Sequence, residues 1–401
     1  MPKSHHRKSL TFILTVSLFI ILGTIFVSLL ARGYRINLKK GIVLTPTGLI
    51  SATSTPKSSS VFINDRLVTA TDDTINLPPG EYEIKISKDG FLPWRKSLLV
   101  KKEIVAQTDA HLFRSAPILE PLSLSGAIKP QLSPDKNKIV FSVASASATT
   151  DNGLYLTELN SNTLPIGSRT NSRLLRPNTI LVDWTKATNY LFSPDSSQII
   201  VGFKNANYLI DLNTNSTSKP LYDITAQLSI IQKQWQDLEQ EIIQTKLQNI
   251  PEEVIAFIST KSSSHVQPYN SKDKVLYLAS TSGQLVNDII TPPPSQSDQA
   301  QHRQIVEGNY YIYDIKQDTN FLIGSVDDIK DPFWLPASNH IIFVQDNQIK
   351  VMEYDNTNLL TLFAGDFDQN LVAPTNDGQK LVTLTSAYVG AQPNLYTIGV
   401  R

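Results

Sequence analysis

The chain contains no cysteine among its 401 residues. Thiol nucleophiles and cysteine-ligated zinc sites are therefore excluded. It has only six histidines, and they show no pairing at the short helical spacing of a metal site. A Gly-x-Ser-x-Gly elbow, a His-Glu-x-x-His motif and a phosphate-binding loop are also missing. We therefore predict no catalytic residue, no cofactor and no metal site, and we expect a protein that is not an enzyme.

The spacing that comes nearest to a metal motif is Asp366-x-Asp368-x-Asn370, which resembles the start of a calcium loop. Leu371 occupies the position at which such a loop needs glycine, and Asp377, in the twelfth position, belongs to a repeated turn described below. We therefore expect no calcium site in this segment.

An excess of charge of either sign is missing too, because 36 basic residues balance 36 acidic ones. A nucleic-acid-binding protein shows a basic domain or stripe, so we expect no nucleic-acid partner. With 41% hydrophobic and 18% charged residues, the composition is that of an ordinary globular protein with room for two or more domains. Frequent proline, asparagine, serine and threonine favour many short strands joined by turns.

One long hydrophobic run is present, from Ser9 to Ala31, after a short basic tail at residues 1–8. Its length of about 23 uncharged residues is enough for a helix to cross a ~30 Å hydrocarbon core. The run is longer than the hydrophobic region of a cleaved signal peptide, and Ser28-Leu29-Leu30 before Ala31 is a poor cleavage site. We therefore expect residues 9–31 to be a retained transmembrane signal anchor.

The charges around this run do not set its orientation by themselves, because Arg32, Arg35, Lys39 and Lys40 at least match the basic residues of the tail. A very short basic tail before the first hydrophobic segment is the usual arrangement of a signal anchor. We therefore expect a single-pass membrane protein with a cytoplasmic N terminus, a juxtamembrane linker at residues 32–47, and a body on the extracytoplasmic side.

Residues 48–116 alternate apolar and polar side chains in short runs separated by turn residues. This pattern predicts a small antiparallel β-sandwich without a helix. Asn64-Asp65 is expected to form a tight hairpin turn, because both residues tolerate a positive φ angle. In a later run Tyr82, Ile84 and Ile86 are predicted to point to one face, with charged residues on the other.

The same segment carries a hydrophobic strand followed by a turn, and then a Pro-Gly-x-Tyr strand that leads to a glycine and an aromatic residue. The positions that follow this pattern are Pro56, Val61, Gly80, Tyr82, Gly90 and Phe91. With these residues the segment resembles a PEGA domain, although Ser58 and Ser59 stand where the turn that names the family has glycine and alanine. Such domains occur in bacterial and archaeal surface proteins, often just outside a membrane anchor. The resemblance implies that setting here and carries no catalytic residue.

Residues 117–401 repeat a pattern in which an anchor residue, a polar turn and an apolar strand follow one another, with a further strand after them. The copies are SPDKNKIVFSV after Leu132, SPDSSQIIVGF after Phe192, YNSKDKVLYLA after Pro268, LPASNHIIFVQ after Trp334 and TNDGQKLVTLT after Pro374. About five copies with a period of ~40–65 residues predict radial or stacked repetition of strand pairs. We expect Asp135, Asp195 and Asp377 to close these turns, which is a structural role.

This repeat resembles the blades of TolB-like, WD-repeat-like β-propellers, in which a Pro-x-Trp-Ser-Pro-Asp-Gly turn opens each blade. Pro332-Phe333-Trp334-Leu335-Pro336 is a degenerate version of that turn. The resemblance implies a propeller of about five to seven blades over residues 117–401, with long loops at Ser142 to Asn152 and Thr291 to Arg303. The predicted fold class is therefore mainly β: an N-terminal transmembrane helix, a small PEGA-like β-sandwich, and a β-propeller with a helical insertion.

The insertion, at about residues 222–260, changes from strand to helix spacing. An apolar stripe recurs there at steps of four and three, formed by Ile224, Leu228, Ile231, Trp235, Leu238 and Ile242. Asp223 is expected to cap this helix, and Pro251 to begin a second one. The stripe either packs on the propeller or on the second helix, or it is a surface for a partner or for self-association.

Three functions are compatible with this organisation. The preferred one is a membrane-tethered binding scaffold of the cell envelope, whose propeller face holds a protein, a peptide or a cell-wall or surface glycan. The first alternative is an envelope enzyme with a propeller active site, such as a lyase or glycosidase, which would need acids or histidines converging in the central channel. The second is a structural assembly element that acts through the amphipathic helix. The pattern does not determine the oligomeric state.

Overall fold

A computed structural model of the protein describes residues 4–31, 34–37, 43–144, 151–159, 172–179, 181–214, 220–294, 297–386, 388 and 390–401. Within them the protein is mainly β, as predicted. The chain divides into two compact units: residues 1–112 with 294–298, and residues 113–293 with 299–401. Arg32, Lys39 and Lys40 of the predicted linker, and residues 145–150 of the first long loop, lie outside the described residues.

The first helix, α1, covers Ser4–Ala31. Its segment Phe12–Leu29 has a mean hydropathy of 2.6, and none of it is buried by the rest of the chain. Among the described residues α1 is the one helix long and apolar enough to cross a bilayer. The predicted hydrophobic helix is thereby confirmed. A signal sequence near the N terminus can also form such a helix, so retention of the helix and its orientation stay predictions.

Unit 1 continues with short strands that form two main sheets. The strands are β1 (Arg35–Asn37), β2 (Val43–Thr45), β3 (Gly48–Ala52), β4 (Ser54–Thr55), β5 (Ser60–Ile63), β6 (Arg66–Ala70), β7 (Asp73–Leu77), β8 (Gly80–Ser87), β9 (Trp94–Val100), β10 (Val105–Gln107) and β11 (Ala110–His111). One sheet has the order β6-β5-β8-β9 and the other β10-β3-β7, with small pairs β11-β4 and β1-β2. Ile50, Val61, Ile84, Ile86 and Trp94 of both sheets share one core.

The structure confirms the local predictions for this unit. Asn64 and Asp65 have φ angles of 48° and 60° in the β5–β6 hairpin, and Ile84 and Ile86 are fully buried on one face of β8. The expectation of a purely antiparallel unit was wrong, because β10 runs parallel to β3 and β11 parallel to β4. Alternation identifies a strand but contains no information about the direction of its neighbour.

Unit 2 contains most of the strands. They are β12 (Ile118–Pro121), β13 (Ile128–Leu132), β14 (Lys138–Val143), β15 (Gly153–Glu158), β16 (Ser172–Pro177), β17 (Asn189–Phe192), β18 (Gln198–Gly202), β19 (Asn207–Asp211), β20 (Val266–Pro268), β21 (Lys274–Leu278), β22 (Gly283–Gln284), β23 (Gln304–Ile305), β24 (Asn309–Asp314), β25 (Thr319–Ser325), β26 (Lys330–Trp334), β27 (His340–Gln345), β28 (Gln348–Glu353), β29 (Leu360–Ala364), β30 (Phe367–Pro374), β31 (Lys380–Thr385) and β32 (Asn394–Gly399). The helical insertion supplies α2 (Leu228–Leu247) and α3 (Glu252–Ile255).

These strands form five consecutive antiparallel sheets, numbered here in chain order. Sheet 1 is β13-β14-β15-β16, sheet 2 is β17-β18-β19, sheet 3 is β20-β21-β24-β25, sheet 4 is β26-β27-β28-β29, and sheet 5 is β30-β31-β32-β12. A small hairpin, β22-β23, is inserted in sheet 3. Each predicted turn joins the first and second strands of one sheet, so the five predicted repeats are confirmed.

The turn carboxylates have the structural role that the sequence predicts. Asp135, Asp195 and Asp377 each accept a hydrogen bond of 2.6 Å from the hydroxyl group two residues earlier. Each also accepts the backbone N–H two residues later, at 3.0 or 3.1 Å. Burial alone would raise the pKa of Asp195, but its hydrogen bonds from Ser193 and Ser197 outweigh burial, and the pKa is lowered.

Sheet 5 joins the two ends of unit 2. Strand β12 pairs antiparallel with β32, from Ile118 opposite Gly399 to Pro121 opposite Tyr396. Buried apolar side chains connect sheet 1 with sheet 2, sheet 1 with sheet 5, and sheet 3 with sheet 4. The last strand of the unit is therefore held in place by its first strand.

Sheet 2 has three strands, and the helical insertion follows where the other sheets have a fourth. Among the residues that the structure describes, a single bridge between Tyr208 and Asp223 occupies that position. The Asp223 carboxylate accepts the Thr225 N–H at 2.9 Å and the Thr225 hydroxyl at 2.6 Å. It therefore holds the short 3-10 helix Thr225–Gln227, and α2 begins after it at Leu228, later than predicted. Pro251 directly precedes α3, at its N-cap.

Candidate functional site

The six residues of the predicted apolar stripe lie on one side of the insertion. Trp235 is buried, and Ile224, Leu228, Ile231, Leu238 and Ile242 are half-buried. The apolar side chain of α2 that is most exposed lies off the stripe: Ile230 exposes 60% of its surface. Whether the stripe also contacts a partner stays a prediction.

The deepest contacts of α2 come from two residues that the stripe did not include. Ile243 and Leu247 pack with Ile250, Val254 and Ile258 against the buried strands β21 and β24 of sheet 3. They continue the row of Trp235 at steps of four, so the spacing contained this signal. The C-terminal half of α2 is therefore fixed on sheet 3.

An open cleft of about 420 Å³ lies between α2 and the end of β17 in sheet 2. Its lining combines apolar and polar side chains: Leu191, Phe192, Pro194, Gln232, Trp235, Gln236, Glu239, Gln240 and Lys261. Phe192 and Trp235 expose 8% and 9% of their surfaces, whereas Leu191 exposes 41%. The accessible apolar surface in the cleft is therefore more aliphatic than aromatic.

One wall of the cleft is a row of carboxamides. Gln232, Gln236 and Gln240 follow one another at steps of four along α2, and all three are exposed. None of their carboxamides makes a hydrogen bond to another described residue. Each carboxamide offers two N–H donors and an acceptor oxygen, so the row presents unused hydrogen-bonding capacity to the cleft.

The rim of the cleft is held in place by Glu239. Its carboxylate accepts the Ser263 N–H at 2.6 Å, at the start of the 3-10 helix Ser263–His265. Two turns further along α2, the Lys246 ammonium donates to the Ser263 carbonyl at 2.5 Å. Burial lowers the pKa of Lys246, and nearby Glu239 opposes that shift. These contacts join α2 to the segment that carries Lys261.

His265 belongs to this rim. Its Nδ1 lies 2.9 Å from the Ser259 hydroxyl. Burial and the charge of Lys261 lower its pKa, while Glu239 opposes them, so the imidazole is neutral at pH 7. Glu239 is the sole carboxylate among the lining residues, and it is already bonded. Among all described residues no group of histidine, aspartate or glutamate side chains is arranged to hold a metal ion.

Comparison with known families gives one match. Residues 47–115 match the PEGA domain. The PEGA match covers the strands from β3 to β11 and agrees with the resemblance seen in the sequence. Ser59, which stands where the family has alanine, is completely buried, and its N–H donates to the Thr71 hydroxyl at 3.0 Å. No curated protein sequence matches the chain.

Solved structures resemble this chain only remotely. TolB from Acinetobacter baumannii is 13% identical with a TM-score of 0.22, and the match covers 80% of this chain and 59% of TolB. The AfRom2 CNH domain is 8% identical with a TM-score of 0.29, covering 70% of this chain and 98% of that domain. An oligogalacturonate lyase from Vibrio parahaemolyticus is 8% identical with a TM-score of 0.22, and the match covers 89% of this chain and 90% of the lyase. Scores this low support no inference about fold or activity.

Proposed function

We propose that the protein is a non-enzymatic binding scaffold of the cell envelope, anchored in the membrane by α1 with its body on the extracytoplasmic side. The PEGA domain follows the anchor in the chain, which is the setting in which such domains often occur. The cleft between α2 and sheet 2 is the proposed binding site.

We further propose that the five sheets of unit 2 are the blades of a β-propeller. Three observations support this fold. The sheets are consecutive and antiparallel, as blades are. Apolar clusters join neighbouring sheets face to face. The pairing of β12 with β32 joins the first strand to the last, as expected where a ring of blades closes.

The observation that carries the binding role is the unpartnered glutamine row. Gln232, Gln236 and Gln240 face a cleft that also contains the exposed aliphatic surface of Leu191. Binding sites combine such apolar surface with a few placed polar groups. An enzyme is less well supported, because Glu239 already accepts the Ser263 N–H, and Ser259, the partner of His265, exposes only 3% of its surface. Association through the apolar stripe is less well supported, because none of its residues is fully exposed.

The membrane orientation is tested in intact cells with an epitope placed after Arg401. External protease should remove the epitope in intact cells if the body is exported. Protection until lysis would contradict the exported orientation in a cell with a single membrane. A fragment that begins after Ala31 would show that α1 is cleaved and not retained.

The binding role is tested with the full-length protein in lipid nanodiscs. Two probes are used: a display library of random dodecapeptides and a panel of soluble cell-wall oligosaccharides. We expect at least one class to bind, and we expect Gln236→Ala to weaken that binding. Gln234→Ala is the matched control, because Gln234 is exposed on the same helix but does not line the cleft. Failure of both probe classes to bind would overturn the proposed function.

A further inference from the structure

The spacing of the glutamine row is close to the repeat of an extended peptide. Steps of four residues in an α-helix advance about 6 Å along its axis, so Gln232, Gln236 and Gln240 lie on a ladder with rungs about 6 Å apart. Two residues of an extended peptide advance about 6.6–6.8 Å. The accumulated difference over two rungs is roughly 1.5 Å, which flexible glutamine side chains can absorb.

The chemistry of the rungs also matches a peptide backbone. A carboxamide can donate to the C=O and accept from the N–H of one residue of an extended chain, and alternate residues present both groups on the same side. The cleft has little net charge to offer, because Glu239 is opposed by Lys261 and is already bonded to the Ser263 N–H. Recognition by this wall would therefore depend on the backbone and not on charged side chains.

The aromatic side chains of the cleft argue against a sugar ring as the ligand. Stacking on a sugar or a base needs an open aromatic face, and the two aromatic side chains of the cleft, Phe192 and Trp235, expose only 8% and 9% of their surfaces. Leu191 exposes 41%, and Pro194 lies beside it in the lining. An aliphatic side chain of a peptide could cover Leu191 and remove this apolar surface from water.

We infer that the cleft binds a neutral, extended peptide segment along α2. Its alternate backbone amides are held by Gln232, Gln236 and Gln240, and an aliphatic side chain lies against Leu191. This inference rests on the proposed binding function and names the chemical class of its ligand.

The test uses the full-length protein in nanodiscs and a peptide selected from the dodecapeptide library. A lost hydrogen bond between neutral groups weakens binding about two- to tenfold, so Gln236→Ala should raise the Kd by about fivefold. Gln234→Ala should leave the Kd unchanged. Leu191→Ser should also weaken binding, because it removes the apolar wall. Both cleft substitutions lie at exposed positions, and circular dichroism of each variant checks that it folds.

Two further measurements distinguish a peptide that is held through its backbone from a peptide that binds in another way. N-methylation of the peptide at successive positions should weaken binding at alternate residues only, because alternate N–H groups face α2. The Kd should change by less than about twofold between 50 and 500 mM salt, since no charge pair is involved. Uniform tolerance of N-methylation, or a Kd that Gln236→Ala leaves unchanged, would overturn the inference.

The oligosaccharide probes distinguish this inference from the function on which it rests. Oligosaccharide binding that Gln236→Ala weakens, without peptide binding, would overturn the peptide assignment and leave the binding function intact. Absence of binding to both probe classes would overturn the inference together with the proposed function.

Discussion

Ile243→Ala tests whether the helical insertion is part of the folded body. Ile243 is fully buried and packs with Val254 and Tyr277 between α2 and sheet 3. The substitution removes three buried carbon groups, whose transfer from water contributes about 0.8 kcal/mol each, or roughly 2.4 kcal/mol. A residual cavity adds to this, so we expect the free energy of unfolding of unit 2 to fall by about 3 kcal/mol.

The assay is thermal unfolding of the full-length protein in detergent, monitored by far-ultraviolet circular dichroism. With an unfolding entropy of about 2.1 cal/mol/K per residue, a loss of about 3 kcal/mol in unit 2 corresponds to a Tm lower by about 5 °C. The matched control is Ile230→Ala, on the same helix, because Ile230 exposes 60% of its surface. Its effect should stay within about 0.5 kcal/mol.

A result in which Ile243→Ala and Ile230→Ala are equally mild would refute this reasoning. It would mean that the C-terminal half of α2 does not depend on sheet 3 for its position. The glutamine row on α2 would then not be held in a fixed position beside sheet 2. Hydrogen exchange of the backbone amides of residues 239–247 gives an independent check: these amides should exchange faster in Ile243→Ala than in Ile230→Ala.

Three further predictions concern other parts of unit 2. Asp195→Asn should cost about 1 kcal/mol at pH 7 by weakening the turn bonds from Ser193. Because the folded-state pKa of Asp195 is lowered, the difference in stability between Asp195→Asn and the parent protein should shrink as pH falls below about 4. Urea unfolding at pH 7 and at a pH below about 4 would measure this, and a difference that does not depend on pH would contradict it. Gly378→Ala should destabilise the protein by more than about 1 kcal/mol in thermal unfolding, because φ is +65° and a Cβ would lie 2.3 Å from the Pro336 carbonyl oxygen; Gly390→Ala, also at positive φ but without neighbours, is its control. Replacing Leu228 and Leu238 by glutamate should lower the Tm if the stripe packs on its own body, whereas dissociation of an oligomer at unchanged Tm in light scattering would establish an association surface.

Local patterns in the sequence were enough to predict the helix at Ser9 to Ala31, the hairpin at Asn64-Asp65 and the five repeated turns. In each case neighbouring residues contain the signal: an uncharged apolar run for the long helix, tolerance of positive φ for the hairpin, and polar residues for the repeated turns, among which Asp135, Asp195 and Asp377 bond within their own turns. The PEGA segment was recognisable for the same reason, since its pattern consists of consecutive strands and turns.

Contacts between distant residues were decided only by the tertiary structure. The pairing of Ile118 with Gly399 and the parallel alignment of β3 with β10 depend on where the chain returns, and alternation alone does not encode this. The choice of Ile243 and Leu247 as the buried row of α2 depends on the side from which sheet 3 approaches the helix. The glutamine row is visible in the sequence, but the cleft exists only because folding brings Leu191 and Trp235 together across more than forty intervening residues.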